Sequence, residues 1–291
     1  MPKAIATISR TKEIMEKHGL HTKKKFGQNF LTEPSIVTRI AQAVPMADKR
    51  LLIEIGPGIG ALTEQLALVA DKVIAYEIDD DLIPVLADTL SEYPHVEIRH
   101  RDFLSVNLKE ELQEYIDAGY EISIAANLPY YITTPLLFHI LESDVPICSI
   151  TVMMQKEVAD RFAAQVGTKD YNALSVITQY RADVKMVMKV PKEVFVPKPN
   201  VDSAVIQFRL RPHTKVVEQQ EVLFELVKGC FVQRRKTILN NLSVYLKDKD
   251  KARECLEKAN IDPSCRAETC TLDTFIELYE VVKWLNTQTL N

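Results

Sequence analysis

The sequence predicts an α/β protein in which a mostly parallel seven-stranded sheet, covered by helices on both faces, precedes a small all-helical domain. Three observations lead to this prediction. Short apolar runs alternate with amphipathic stretches between about residues 36 and 166. Two later apolar runs, at 184–190 and 204–210, are joined by a proline-rich connection. Beyond residue 212 the apolar residues recur only at helical spacing.

The alternating region contains apolar runs that are short enough to be buried strands. Strands that alternate with helices in this way pair in parallel, whereas the last two runs form a hairpin that gives the sheet an antiparallel edge. The predicted strands are residues 51–55, 72–78, 95–100, 122–126, 147–154, 184–190 and 204–210. The predicted helices include 36–44, 61–70, 135–141, 156–164 and 173–180.

The change of pattern near residue 212 divides the chain into two predicted domains. Residues 1–212 form the sheet domain, which starts with a basic arm over about residues 1–30, and residues 213–291 form the helical domain. The 291 residues are enough for one large domain and one small one.

Charge is unevenly distributed along the chain. The formal net charge is −4, yet residues 1–30 carry seven basic and two acidic side chains, a net charge of +5. A second basic run lies at 234–236. Nucleic acids respond to local basic patches more than to total charge, but most charge runs are simply solvated faces. Both runs are therefore candidate nucleic-acid contacts only if other motifs support them.

Cysteine usage and hydropathy exclude several protein classes. The five cysteines contain no CxxC pair, which argues against a zinc site or a disulfide framework, and we expect no metal. No apolar run approaches the roughly 18 residues of a membrane helix, and the N-terminus lacks an apolar signal segment. We expect a cytoplasmic protein that has no membrane partner.

A glycine-rich turn follows the first strand of the alternating region. Gly56, Gly58 and Gly60 allow the backbone to approach a ligand closely, and the following helix start offers unpaired N–H groups. Because Glu54 precedes the turn, the spacing is E-x-G-x-G-x-G, which differs from the dinucleotide fingerprint G-x-G-x-x-G. This spacing resembles motif I of the Rossmann-like methyltransferases and indicates S-adenosylmethionine rather than NAD.

Acids end the next two predicted strands. Glu77 is placed to accept hydrogens from ribose hydroxyls, and Asp102 to accept from an adenine amino group. Either acid alone would be an ordinary polar strand end. The ends of adjacent parallel strands lie along one crevice, so the two acids and the glycine turn together predict a site for a nucleoside cofactor.

The tetrapeptide Asn127-Leu128-Pro129-Tyr130 follows the fourth strand and indicates the reaction. It resembles the (D/N/S)-P-P-(Y/F) motif of enzymes that methylate exocyclic amino nitrogens of bases. The adenine amino lone pair is delocalised, so acceptors aimed at the amino hydrogens make the nitrogen a better nucleophile. The Asn127 side chain and the Leu128 carbonyl are the candidate acceptors. Pro129 restricts Leu128 to an extended conformation, and Tyr130 can stack on the base.

Over nearly its whole length the chain resembles the ribosomal RNA adenine N6,N6-dimethyltransferases, in particular the small-subunit (KsgA/RsmA) branch. The resemblance rests on five segments: GQNFL at 27–31, EIGPGIGALT at 54–63, NLPYYI at 127–132, FVPKPNVDSA at 195–204 and QRRKT at 233–237.

This resemblance implies a substrate, a cofactor and a set of site residues. The substrate is a pair of adjacent adenines in the 3′-terminal hairpin of 16S rRNA within a 30S precursor. The adenines receive four methyl groups from S-adenosylmethionine, which leaves as S-adenosylhomocysteine, and we expect a monomer. Phe195 flanks the target base opposite Tyr130, with core packing as its alternative role. The implied cofactor contacts are Asn29, Leu31, Gly56, Gly58, Glu77, Asp102 and Asn127.

Three alternatives accompany this hypothesis. The Pro-Lys-Pro form around Lys198 is also similar to the Erm enzymes, which methylate one adenine of 23S rRNA, although the segments at 127–132 and 233–237 favour the small-subunit branch. A nicotinamide oxidoreductase is disfavoured by the glycine spacing. A protein that acts mainly as a ribosome assembly factor is disfavoured by the intact tetrapeptide and glycine turn, although both roles can coexist.

Overall fold

The structure is a computed structural model that describes residues 3–21, 23, 28–143, 145–211 and 215–288. Its main sheet has seven strands in the order β4-β3-β2-β5-β6-β9-β7, which confirms the predicted α/β class. The strands are β1 (Phe30–Leu31), β2 (Arg50–Ile55), β3 (Lys72–Glu77), β4 (Val96–His100), β5 (Glu121–Asn127), β6 (Ile147–Gln155), β7 (Ala182–Val190), β8 (Phe195–Val196) and β9 (Ser203–Leu210).

The first half of the sheet is parallel. β2 pairs with β3 on one side and with β5 on the other, and Ile53 aligns with both Ile74 and Ile124. Every residue of β2 is buried, as expected for a parallel strand with elements packed on both faces. The carboxyl ends of β2, β3 and β5 therefore meet at one edge of the sheet.

The second half contains the predicted antiparallel edge. β9 lies between β6 and β7 and pairs with β6 in antiparallel register, with Val152 aligned to Ile206. This arrangement confirms that the two late apolar runs extend the same sheet.

Most helices match the sequence pattern, but two were not predicted. Helix α1 has only two buried residues, so its apolar signal is weak. Helix α5 is capped by Asn107, whose side chain accepts from the Glu110 backbone N–H. Helix α3 ends three residues earlier than predicted. The helices are α1 (Ile8–Lys17), α2 (Pro34–Ala43), α3 (Ala61–Ala67), α4 (Ile83–Thr89), α5 (Leu108–Asp117), α6 (Thr133–Leu141), α7 (Lys156–Phe162), α8 (Ala173–Arg181), α9 (Gln220–Cys230), α10 (Ile238–Leu246), α11 (Lys249–Lys258) and α12 (Leu272–Gln288).

A separate two-stranded sheet, also not predicted, joins residues that are far apart in the sequence. β1 and β8 pair antiparallel, with Phe30 opposite Val196 and Leu31 opposite Phe195. The backbone N–H and the hydroxyl of Thr32 both donate to the carbonyl of Val194, at 2.8 and 2.9 Å. Two segments of the family resemblance are thereby fixed side by side.

The chain forms two compact units, residues 1–159 with 185–210 and residues 160–184 with 211–291. Helix α8 thus groups with the C-terminal helices. The domain division predicted at residues 212 and 213 falls on a segment outside the described residues, and it stays a prediction. Within the described ranges, no helix is long and apolar enough to cross a membrane, and no cluster of His, Cys, Asp or Glu is arranged to hold a metal ion.

Candidate active site

The glycine turn after β2 forms the floor of the site in the first unit. Gly56 and Gly58 have φ angles of 68° and 61°, in the left-handed region that favours glycine. The Gly56 N–H donates to the Tyr76 carbonyl at 2.9 Å, which fixes the turn against β3. A Cβ placed on Gly56 would meet no atom within 4 Å, so the backbone there borders open space.

Glu77 ends β3 and faces this turn. Its carboxylate accepts from the backbone N–H groups of Gly58 at 3.3 Å and of Ile78 and Asp79 at 2.9 Å each. Glu77 is only 5% exposed, and burial raises the pKa of its carboxyl above the usual value. The three N–H donors orient the carboxylate at the edge of the cavity, where free lone pairs can accept from a ligand.

Glu54 lies one strand away and is more deeply buried, at 1% exposure. Burial raises the pKa of Glu54 to about 8, because the charged form loses its hydration. Among the described residues, its Oε2 has no hydrogen-bond partner. A buried acceptor without a partner costs free energy unless a ligand or an ordered water completes it. Glu54 therefore marks a position where a ligand donor fits.

The predicted tetrapeptide continues from β5 into the turn before α6. The Leu128 N–H donates to the Met153 carbonyl at 3.0 Å, so the turn is fixed to β6. The Pro129 carbonyl accepts from the Thr133 hydroxyl at 3.0 Å. The Tyr130 hydroxyl and the Ser203 hydroxyl lie 2.6 Å apart and share a hydrogen bond. These contacts hold the tetrapeptide as a rigid turn at the carboxyl edge of the sheet.

These elements line a cavity that is partly open to solvent at the carboxyl edge of the sheet. Phe195, which is 3% exposed, forms part of its wall beside its β1 partner Leu31, so Phe195 is both buried and adjacent to the cavity. The predicted residues that line the cavity are Asn29, Leu31, Gly56, Gly58, Glu77, Asn127, Leu128, Pro129, Tyr130 and Phe195, together with Gln28 and Glu54.

Asp102 is the predicted site residue that does not line this cavity. β4 ends at His100, and Asp102 follows as the exposed N-terminal cap of a 3₁₀ turn, where its side chain accepts from the Leu104 N–H at 3.0 Å. It nevertheless lies on the carboxyl edge of the sheet, because β4 is the neighbour of β3. Its contact with the cofactor stays a prediction.

The charge of the cavity distinguishes between cofactors. Its lining includes two buried acids, Glu54 and Glu77, and none of its described lining residues is basic. A pyrophosphate would face these acids without a balancing cation. A nucleoside that carries a sulfonium and an ammonium group would instead gain from them, so the residues present fit S-adenosylmethionine.

Sequence reasoning missed three residues of this site or its support. The sequence motif identifies Glu54 only as the acid before the glycine turn, although an acid within a buried strand is itself a signal of a functional residue. Gln28 lies next to the predicted Asn29 and lines the cavity. Ser203, which holds Tyr130, had no local signal, since the contact depends on the β6–β9 pairing.

Several basic residues of the N-terminal arm are engaged within the protein. Arg10 pairs with Glu13 at 2.9 Å and Lys17 with Asp88 at 2.6 Å. Lys23 pairs with two acids that follow β3. Lys24 and Lys25 lie outside the described residues. Internal ion pairing thus reduces the charge that the described arm presents to RNA.

The second basic run belongs to the C-terminal unit, and its three side chains differ in the contacts that they make within the protein. Arg234 donates to the backbone carbonyls of Lys169 and Tyr171, and it lies 3.6 Å from Glu268. Arg235 and Lys236 are exposed and make no side-chain hydrogen bond or ion pair within the described chain. Only the latter two are therefore available for a phosphate in this structure.

Comparisons with known proteins show the family of this chain. Residues 19–283 match the ribosomal RNA adenine dimethylase family. Proteins named ribosomal RNA small subunit methyltransferase A are 51% identical in Enterococcus faecalis, over 95% of both chains, and 50% identical in Bacillus cytotoxicus, over 95% of this chain and 96% of the other.

Solved structures agree as well. A dimethyladenosine transferase from Plasmodium falciparum superimposes with a TM-score of 0.73 at 25% identity, covering 87% of this chain and 97% of that one. The 23S rRNA methyltransferase ErmE gives 0.67 at 26% identity, covering 88% and 100%. With the match spanning both units, this chain belongs to the ribosomal RNA adenine dimethylase family.

Proposed function

We propose that this protein transfers methyl groups from S-adenosylmethionine to the exocyclic amino groups of two adjacent adenines in the 3′-terminal hairpin of 16S rRNA. Each adenine becomes N6,N6-dimethyladenosine, and four methyl groups are used. The observation that carries the proposal is the rigid Asn127–Tyr130 turn at the mouth of a cavity that contains two buried acids. The close relatives named for the small ribosomal subunit support the choice of 16S rRNA.

Different cavity residues are assigned to different parts of the cofactor. When bound, S-adenosylmethionine supplies an electrophilic methyl group. Glu77 is suited to accept ribose hydroxyl hydrogens, and Glu54 to accept from the ammonium of the amino-acid part. Gly56 leaves room for close backbone approach, and Asn29 and Leu31 line the same cavity.

The Asn127 side-chain oxygen and the Leu128 carbonyl accept hydrogen bonds from the target amino group, which makes its nitrogen a better nucleophile. No hydrogen bond of the Asn127 side chain occurs within the described chain, so its oxygen is available. No strong base is required, because the methylated nitrogen is a strongly acidic cation that loses its proton to water. The rate enhancement then rests on the alignment of amine and methyl group and on fixed dipoles.

Tyr130 and Phe195 both line the cavity, and we assign them to the target adenine. The Tyr130 ring is fixed by its hydroxyl contact with Ser203, and Phe195 is fixed by the β1–β8 pairing. Stacking on an aromatic ring contributes about 1–3 kcal/mol per base. We infer that the adenine enters between these rings.

Charge reversal in the second basic run is expected to weaken RNA binding without unfolding the protein. The double variant Arg235→Glu, Lys236→Glu removes two exposed cations that lack partners in the described chain. We expect the magnitude of the slope of log K against log salt to fall by about 1.4–1.8, since each of the two lost phosphate contacts contributes about 0.7–0.9. Filter binding of a 3′-terminal 16S rRNA fragment across a salt series measures this slope.

Arg234→Ala serves as the contrasting variant. Because its side chain joins three segments of the C-terminal unit, we expect a lower Tm with a nearly unchanged salt slope. An unchanged slope in the double variant would show that this run does not contact RNA.

The physiological substrate in this proposal is a 30S precursor in the cytoplasm, bound by a monomer. The test of the rRNA assignment is transfer of labelled methyl from S-adenosylmethionine to undermethylated small subunits and, separately, to naked 23S rRNA. We expect label in the small subunits. Label confined to 23S rRNA would instead support an activity like that named for ErmE.

A further inference from the structure

A buried carboxylate beside the cavity joins the N-terminal arm to the strand that carries Glu77. Asp79 lies two residues after β3 and is 3% exposed. Its Oδ1 accepts from Lys23 Nζ and its Oδ2 from Gln28 Nε2, each at 2.6 Å. The two strongest contacts of this carboxylate are thus made with the arm rather than with its own strand.

The three side chains form a closed ring of hydrogen bonds. The Lys23 backbone N–H donates to Gln28 Oε1 at 2.8 Å, which completes the path from Lys23 through Gln28 to Asp79. Burial alone would raise the pKa of Asp79, but the hydrogen bonds from Lys23 and Gln28 outweigh it and leave the pKa below its usual value. Asp79 therefore stays ionised, and both arm contacts are charge-assisted.

The ring is continuous with the cofactor site on both sides. On one side, the Asp79 N–H donates to Glu77 Oε1 at 2.9 Å, and the same carboxylate accepts from Gly58. On the other side, Gln28 lines the cavity and is followed by Asn29, which lines it too. The segment from Gln28 is held at its start by Asp79 and at its end by the β1–β8 pairing.

We propose that Asp79 is a positioning residue that fastens the N-terminal arm against the cavity, so that Asn29 and Leu31 are held in place for the cofactor. The proposal rests on the cofactor site proposed above. Asp79 itself does not touch the cofactor. Its contribution is to pre-organise one wall of the cavity, so its loss should weaken cofactor binding more than the chemical step.

The decisive variant is Asp79→Asn, with Asp81→Asn as its matched control. Asp81 also contacts Lys23, at 2.5 Å, but its side chain is 61% exposed and, within the described residues, it makes no hydrogen bond with Gln28. We expect Asp79→Asn to raise KM for S-adenosylmethionine by about 10- to 100-fold, as weakening of two charge-assisted hydrogen bonds implies. The kcat at saturating cofactor and the KM for RNA should stay near wild type, and Asp81→Asn should resemble wild type throughout.

A second pair of variants tests the same ring from the arm, in case Asp79→Asn does not fold. Lys23→Met removes one charged donor from a partly exposed position, and Lys23→Arg restores a cation. We expect weaker S-adenosylhomocysteine binding by calorimetry in Lys23→Met and recovery in Lys23→Arg. The double variant Asp79→Asn, Lys23→Met should bind no more weakly than Asp79→Asn alone, because both changes open one ring.

Unchanged cofactor affinity in folded Asp79→Asn and Lys23→Met would overturn the positioning role and leave the proposed function intact. A loss confined to kcat would also overturn it. If the wild-type protein itself failed to bind S-adenosylmethionine or S-adenosylhomocysteine, the proposed function would fail instead.

Discussion

Replacement of Asn127 by alanine is expected to lower kcat for methyl transfer by about 10²–10³-fold, the usual cost of removing one pre-organised catalytic dipole. The variant removes the side-chain oxygen that accepts from the target amine, while the glycine turn, Glu54 and Glu77 remain. S-adenosylhomocysteine should therefore still bind measurably. Single-turnover kinetics with small subunits, together with calorimetry of cofactor binding, measure both quantities.

Asn107→Ala is the matched control for this variant. Asn107 caps α5 away from the cavity, and its loss should cost about 0.5–2 kcal/mol of stability without a change in kcat. Wild-type turnover in Asn127→Ala at saturating cofactor, together with loss of cofactor binding, would contradict the catalytic role of Asn127.

Replacement of Glu54 by glutamine is expected to stabilise the protein without cofactor and to weaken cofactor binding. In the unfolded chain Glu54 ionises with an ordinary carboxyl pKa of 4.5, whereas the folded chain keeps the proton up to about pH 8. Between these values the unfolded state binds fewer protons, so the stability of the wild-type protein falls as the pH rises. Glutamine does not titrate, so the variant does not lose stability in this way as the pH rises.

Measurements of thermal stability, cofactor affinity and proton release test this role of Glu54. At pH 8.5, the Tm of the cofactor-free Glu54→Gln variant should exceed that of the wild type, whereas near pH 5 the two should converge. Calorimetry should show S-adenosylhomocysteine binding weakened by about 10- to 100-fold, as expected for loss of a charge-assisted hydrogen bond. Proton release on binding at pH 7.5, measured in two buffers, should be present in the wild type and reduced in the variant. A variant that is less stable at pH 8.5 and binds normally would refute this account of Glu54.

The sequence predicted those parts of the fold and site that depend on local pattern. β2, β3 and β5 are largely apolar, and each is followed by a chemically distinctive turn. Parallel pairing then brings Gly56, Glu77 and Asn127 to one edge, as expected. The antiparallel edge followed from the two late apolar runs and the proline-rich connection between them.

Features that depend on long-range contacts were not predictable from pattern. The β1–β8 pairing places Leu31 beside Phe195, and each strand is only two residues long. In the sequence Asp79 resembles an ordinary turn residue, because its contacts with Lys23 and Gln28 depend on the folded arm. Arg234 resembled its neighbours Arg235 and Lys236, yet it alone of the three bonds to other segments of its unit in the described structure. Helix α5 was missed although its cap and apolar spacing were present in the sequence.

The most direct test of the proposed function is to map methylated positions in rRNA after incubation of undermethylated 30S subunits with the pure protein and S-adenosylmethionine. Mass spectrometry of nuclease fragments identifies both the position and the number of methyl groups. We expect N6,N6-dimethyladenosine at two adjacent adenines in the 3′-terminal hairpin of 16S rRNA, formed about 10²–10³-fold more slowly by Asn127→Ala. Methylation at a different base, or at a single adenine of 23S rRNA only, would contradict it.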